Sequence, residues 1–248
     1  MKKIFGLLFI FFAMILSAQS KTLVKKAPAK KTPVRSIPKP DLEKLDESLP
    51  DLIPQRFNGK LGFVNQKGKV IIPHQYNFGT FFWEDCNLLN SPNEALRKFG
   101  TADYASVTEG DKDYRISKTG KRVYTFKQED LGKCESTYQE KKYYPYMYRG
   151  FFGIVDKTTF VNEQDYRQYQ VYPQYQYLYV MESDDLDNPM IIASRNDAFG
   201  VIDKYNNVVI PFEYTDIKRN FSWKMGKMFE VTKDGKNYFF IDSKNKVY

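Results

Sequence analysis

This chain repeats itself, and a sequence that repeats folds as a row of similar units rather than around one irregular core. Gly62-Phe63-Val64-Asn65-Gln66-Lys67-Gly68-Lys69-Val70-Ile71-Ile72-Pro73-His74-Gln75-Tyr76 parallels Gly200-Val201-Ile202-Asp203-Lys204-Tyr205-Asn206-Asn207-Val208-Val209-Ile210-Pro211-Phe212-Glu213-Tyr214. Both read as a short apolar strand, a polar turn, a second apolar strand and Pro-x-x-Tyr. Weaker copies begin at Tyr114, Gly153 and Phe239, so that successive starts lie 52, 39, 47 and 39 residues apart.

Each unit has a third strand upstream. Phe229–Thr232 precedes Asp234-Gly235, a dipeptide that signals a tight hairpin because both turn positions favour positive φ. Ile191–Ser194, Tyr104–Val107 and the segment before Asn58-Gly59 take the same place in their units. Turns this short predict antiparallel meanders. The fold class is therefore all-β. It comprises about five hairpin or meander repeats over residues 51–248, stacked into a curved sheet, an open barrel or a propeller-like array. The 17% aromatic content also favours strands.

The motif resembles the WG-repeat (KWG) family of exported bacterial proteins. The likeness covers about Arg56 to Tyr248. Leu61, Phe152 and Phe199 stand where the family's Trp precedes Gly, and Tyr114 and Phe239 replace that Gly. The resemblance implies stacked β-hairpins or meanders and assigns no activity.

The first residues have a different character. Met1-Lys2-Lys3 precedes an apolar run from Ile4 to Leu16, and small residues follow to Ser20. This is the pattern of a secretory signal over residues 1–20, with cleavage after Ala18 or Ser20. The run is too short to span a bilayer, which needs about 20 apolar residues. The expected location is the bacterial periplasm or the exterior.

Residues 21–50 read as a basic linker. Lys21–Pro40 holds seven Lys/Arg, no acidic residue and prolines at 28, 33, 38 and 40, a composition that favours an extended chain. It can serve as a spacer or contact anionic surfaces. A short helix is expected over Asp41–Leu49, with Leu42, Leu45 and Leu49 on one face and Pro50 at its end. Residues 41–248 hold 29 of the 38 basic groups and all 30 acidic ones, a net −1. A body without basic excess argues against a nucleic-acid partner.

Candidate chemistry is sparse. His74 is the only histidine, and Phe212 occupies its place in the other strong copy, so it reads as a packing residue. Asn65, Ser117, Asp156, Asp203 and Asp242 share one repeat position before a turn and read as turn caps, not as an acid/base pair. Gly62 to Lys69 has five residues between its glycines where a phosphate loop needs four. No catalytic, metal or cofactor constellation emerges, and the chain reads as a non-enzymatic binding or interaction module. An envelope protein or polysaccharide is the expected partner, and an envelope hydrolase the least supported alternative.

Two features remain. Cys86 and Cys134 occupy similar phases of adjacent repeats; an oxidising compartment permits a bridge between them, and two free thiols are the alternative. Eleven of the nineteen tyrosines fall within residues 138–179. Tyr175, Tyr177 and Tyr179 alternate with Gln176 and Leu178, which predicts one strand face in a segment that departs from the repeat between Phe160 and Ile191. With Trp83 and Trp223, in the connections after Pro-x-x-Tyr, they are the candidate ligand-binding residues for a polysaccharide or cell-wall surface.

Overall fold

The computed structural model describes residues 45–135 and 139–248. The expected signal, the basic tail and Leu42 lie outside them. Residues 45–50 form a turn and not the end of a helix: Leu49 N donates to Asp46 O, and the Asp46 carboxylate accepts from Ser48 N and Oγ. That local carboxylate bonding competes with helix formation. Leu49 packs on a buried cluster.

Among the described residues seventeen strands form five antiparallel sheets. The first sheet is β1 (Leu52–Phe57), β2 (Lys60–Asn65) and β3 (Val70–Tyr76). The second is β4 (Phe78–Phe82), β5 (Tyr104–Glu109), β6 (Lys112–Ser117) and β7 (Arg122–Thr125). The third is β8 (Tyr143–Tyr148), β9 (Phe151–Asp156) and β10 (Tyr169–Tyr175). The fourth is β11 (Tyr177–Val180), β12 (Ile191–Arg195), β13 (Ala198–Ile202) and β14 (Val208–Tyr214). The fifth is β15 (Asp216–Ile217), β16 (Phe229–Thr232) and β17 (Phe239–Ile241). Every sheet is a meander in which chain neighbours pair.

Three sheets share one register. Leu61, Phe152 and Phe199 pair with Tyr76, Tyr175 and Tyr214, while Phe63, Ile154 and Val201 pair with Ile72, Val171 and Ile210. The third strand thus bulges by two residues between those pairs. The bulge explains the repeat's glycine. A Cβ on Gly62, Gly153 or Gly200 would lie 2.6, 2.5 or 2.6 Å from the carbonyl oxygen of Ile72, Val171 or Ile210.

This register also corrects the sequence reading of residues 160–191. Tyr169–Tyr175 is the third strand of its repeat, and Tyr175 is the equivalent of Tyr76 and Tyr214. Its proline, Pro173, stands one position later than Pro73 and Pro211, which hid the match.

Two of the repeat tyrosines join their sheet to the next. Tyr175 OH donates to Asn206 Oδ1 and Tyr214 OH donates to Asn245 Oδ1, both at 2.6 Å and both 31 residues ahead. Each Asn holds a positive φ in the turn of the following unit, 68° and 63°. At the first junction that turn position is Gly120, φ 80°, and the buried Tyr76 hydroxyl has no partner. Buried clusters join the first and second sheets, the third and fourth, and the fourth and fifth. A further cluster brings Met228 and Tyr248 against Ile53, Val64 and Phe81, so the C-terminal unit packs on the first. Lys246 Nζ reinforces this by donating to Gln66 O at 3.0 Å.

The turn caps behave as their chemistry requires. Asn65, Asp203 and Asp242 each accept two backbone N–H bonds from the residues two and four ahead. The hairpin at Asp234-Gly235 differs from expectation. Only Gly235 has positive φ, 73°, and the Asp234 carboxylate caps Lys236 N and Asn237 N in a wider loop. Asn58-Gly59, Arg149-Gly150 and Asn196-Asp197 are the turns in which both positions have positive φ.

Candidate functional site

The third sheet carries an aromatic surface that its own sequence builds. Alternation along β8 places Tyr144, Tyr146 and Tyr148 on one face, and the register sets Tyr148 opposite Phe151. The Arg149-Gly150 turn closes this hairpin. Residues 160–168 extend the connection from β9 to β10 and lay Phe160 and Glu163 beside the same rings.

Tyr169 is the hub of the cluster. Its ring centroid lies 5.4 Å from Phe160, 5.6 Å from Tyr172, and 6.3 Å from both Tyr146 and Tyr148. Tyr146 closes on Phe160 at 4.8 Å. Tyr169 is buried, whereas Tyr172 is 50% exposed and Phe151 48% exposed. Such tilted and edge-to-face pairs are the stable arrangements of aromatic quadrupoles.

Polar groups fix the rings. Tyr146 OH donates to Glu163 Oε2 at 2.6 Å, and Tyr169 OH donates to Glu163 O at 2.9 Å. The Glu163 carboxylate holds the Tyr146 hydroxyl above its usual pKa, and burial does the same for Tyr169, so both stay protonated at neutral pH. The exposed Arg149 guanidinium sits 5.0 Å over the Tyr148 ring. The result is an apolar, π-faced surface with an acid and a cation at its margin.

The residues singled out from sequence do not form one site. Gln176 separates β10 from β11, so Tyr175 belongs to the third sheet and Tyr177 and Tyr179 to the fourth. Tyr175 is 2% exposed in a core cluster and stacks on Phe212 at 5.9 Å. Tyr177 and Tyr179 are half-buried against a different cluster. Tyr177 OH accepts from Arg219 at 3.1 Å, and Lys141 lies over the Tyr179 ring. Trp223 is 8% exposed and stacks on Phe229 at 4.8 Å. Trp83 is half-buried, and its carbonyl accepts from Arg115. His74 Nε2 lies 3.1 Å from Gln55 Oε1, with its ring beside Phe57.

Three further features belong to the second sheet and its flanks. A groove of about 460 Å³ runs between β4, β5 and the segment after β7, lined by Phe78, Val107, Asp113, Phe126, Lys127 and Leu131. Cys86 and Cys134 are joined by a disulfide with Cα atoms 5.3 Å apart.

Arg115 is the other feature, 1% exposed. Its guanidinium donates to the carbonyls of Phe99, Trp83 and Thr101 and to Ser106 Oγ, at 2.8–3.1 Å. Burial lowers its pKa, with nearby Asp85 opposing. It occupies the place of Phe63, Ile154 and Val201 and ties down the connection between β4 and β5 through residues 83, 99 and 101. An arginine at a core position of the repeat was the signal in the sequence. Among the described residues no group of three His, Cys, Asp or Glu is placed to hold a metal, and no helix is long and apolar enough to cross a membrane.

The family model described as WG containing repeat matches residues 62–88 and 199–236. Neither the curated proteins nor the solved structures contain a match to the chain.

Proposed function

We propose that this chain, which carries WG-containing repeats, is an exported, non-enzymatic binding module that holds an envelope polysaccharide on its third sheet. The observation that carries the reading is the exposed aromatic surface around Tyr169, with Tyr172 and Phe151 half open to solvent. A sugar ring offers an apolar C–H face to stack and a hydroxyl rim to hydrogen-bond. Rings with polar edges beside Glu163 and Arg149 offer the complement. The net −1 of residues 41–248 favours an uncharged or mixed-charge ligand over a nucleic acid. Export is supported by the charged, apolar and small-residue succession of residues 1–20, and the Cys86–Cys134 bridge suits an oxidising compartment.

Co-sedimentation with insoluble envelope polysaccharide, including protease-treated peptidoglycan sacculi, tests the reading. The double variant Tyr148→Ala/Tyr172→Ala should keep its circular dichroism spectrum. At about 0.5–1.5 kcal/mol per ring it should bind roughly 5- to 150-fold more weakly. Unchanged binding by the folded double variant would remove this face as the site. Binding that disappears when the sacculi are protease-treated would point to a protein partner instead.

A further inference from the structure

Residues 126–135 are held to the domain by few forces. None of the described residues between Tyr124 and Tyr143 is buried, and none belongs to a buried cluster. A segment with no buried side chain has little apolar free energy to oppose local opening. Its polar ties to the rest of the domain are Phe126 N to Asp113 O at 3.0 Å and Lys127 N to Tyr124 OH at 3.2 Å at its start, then Tyr124 OH to Asp130 at 2.9 Å, Gly132 N to Asn87 O at 2.9 Å, Asn90 Nδ2 to Lys133 O at 3.0 Å and a contact of Cys134 Sγ with Asn87 Oδ1 at 3.1 Å. The covalent tie is Cys134 to Cys86, which closes a loop of 48 residues.

The junction beyond this segment also lacks the usual latch. The second sheet lacks the repeat tyrosine: Arg115 pairs with Tyr124 and Tyr114 with Thr125, and Phe126, whose N–H donates to Asp113 O, stands where Tyr76, Tyr175 and Tyr214 pair with Leu61, Phe152 and Phe199. Among the described residues no buried cluster joins the second and third sheets. Both cysteines are exposed, so a reductant can reach either sulfur. Phe126, Lys127 and Leu131 of this segment form one wall of the 460 Å³ groove on the second sheet.

We propose that the Cys86–Cys134 bridge is a redox clasp whose reduction by a dithiol frees residues 126–135 and opens the groove, while the five sheets stay folded. A thiolate of the dithiol attacks one sulfur, the protein S–S bond breaks, and the departing cysteine thiolate takes a proton. The second thiol of the reductant then displaces the other cysteine from the mixed disulfide. Two protein thiols and one cyclic disulfide result, with two electrons passed to the protein.

Hydrogen exchange on the full chain, with and without dithiothreitol, tests this, with thiol alkylation scored by mass. Both cysteines should alkylate in the folded protein. Amides of 127–135 should exchange about tenfold faster or more, while β8–β17 keep their protection. The double variant Cys86→Ser/Cys134→Ser should reproduce the reduced pattern without reductant. Three results would overturn the proposal: unchanged exchange in 127–135 after reduction, loss of protection across all sheets together, or a bridge that resists dithiothreitol until the protein unfolds.

Discussion

Replacing Tyr214 and Tyr76 separately by Phe exploits a natural control within one molecule. The two residues hold the same place in the repeat register, and both rings are buried. Tyr214 OH donates to Asn245 at 2.6 Å, whereas the Tyr76 hydroxyl is buried without a partner, because Gly120 stands where the other units carry Asn206 and Asn245. Tyr214→Phe removes a net hydrogen bond of about 0.5–1.5 kcal/mol, and water can reach the half-exposed Asn245. Tyr76→Phe removes an unsatisfied buried hydroxyl, whose retention costs roughly 1–3 kcal/mol. For a domain of this size each kcal/mol moves the thermal midpoint by about 2–4 °C. Calorimetry of both variants should show Tyr214→Phe lowered by about 1–6 °C and Tyr76→Phe unchanged or raised. Equal losses in the two, or a loss only in Tyr76→Phe, would refute the latch as a source of inter-sheet stability.

Two more outcomes follow from buried polar groups. Arg115→Met fills the core position but strands the carbonyls of Trp83, Phe99 and Thr101, and should cost about 2–5 kcal/mol with faster amide exchange over 83–101; an unchanged melting midpoint would contradict this. Burial pushes the Tyr214 pKa up to about 12 against about 10 in an unfolded chain. Its contribution is therefore complete below about pH 10 and lost as pH rises toward 12, so denaturant midpoints should fall over that range, and fall less in Tyr214→Phe.

Much of the fold was legible because the repeat is a physical unit. The polar turns, the upstream strands at Ile191, Tyr104 and Phe229, and the capping role of Asn65, Asp203 and Asp242 all follow from local chemistry. The third strand at Tyr169–Tyr175 was hidden because Pro173 is displaced by one residue and residues 160–168 lengthen the preceding turn. That single slip put Tyr175 in the wrong role. Alternation of Tyr175, Tyr177 and Tyr179 describes one face only while the strand continues, and the chain changes sheet at Gln176. The aromatic density of residues 138–179 was a real signal, but the rings that gather on one surface come from β8, β10 and the turn between β9 and β10. Sequence spacing alone cannot show which of three non-adjacent segments meet. Arg115 was overlooked for a related reason: its partners are backbone carbonyls, which carry no residue signature.

Covalent labelling of tyrosines in the folded protein, with and without polysaccharide, interrogates the proposed surface directly. Tyr148 and Tyr172 belong to the aromatic face, while Tyr205, 65% exposed in the turn between β13 and β14, serves as an internal reference. Binding through the third sheet predicts that saturating ligand protects Tyr148 and Tyr172 from modification and leaves Tyr205 as reactive as before. Bound ligand that leaves Tyr148 and Tyr172 fully reactive would contradict it.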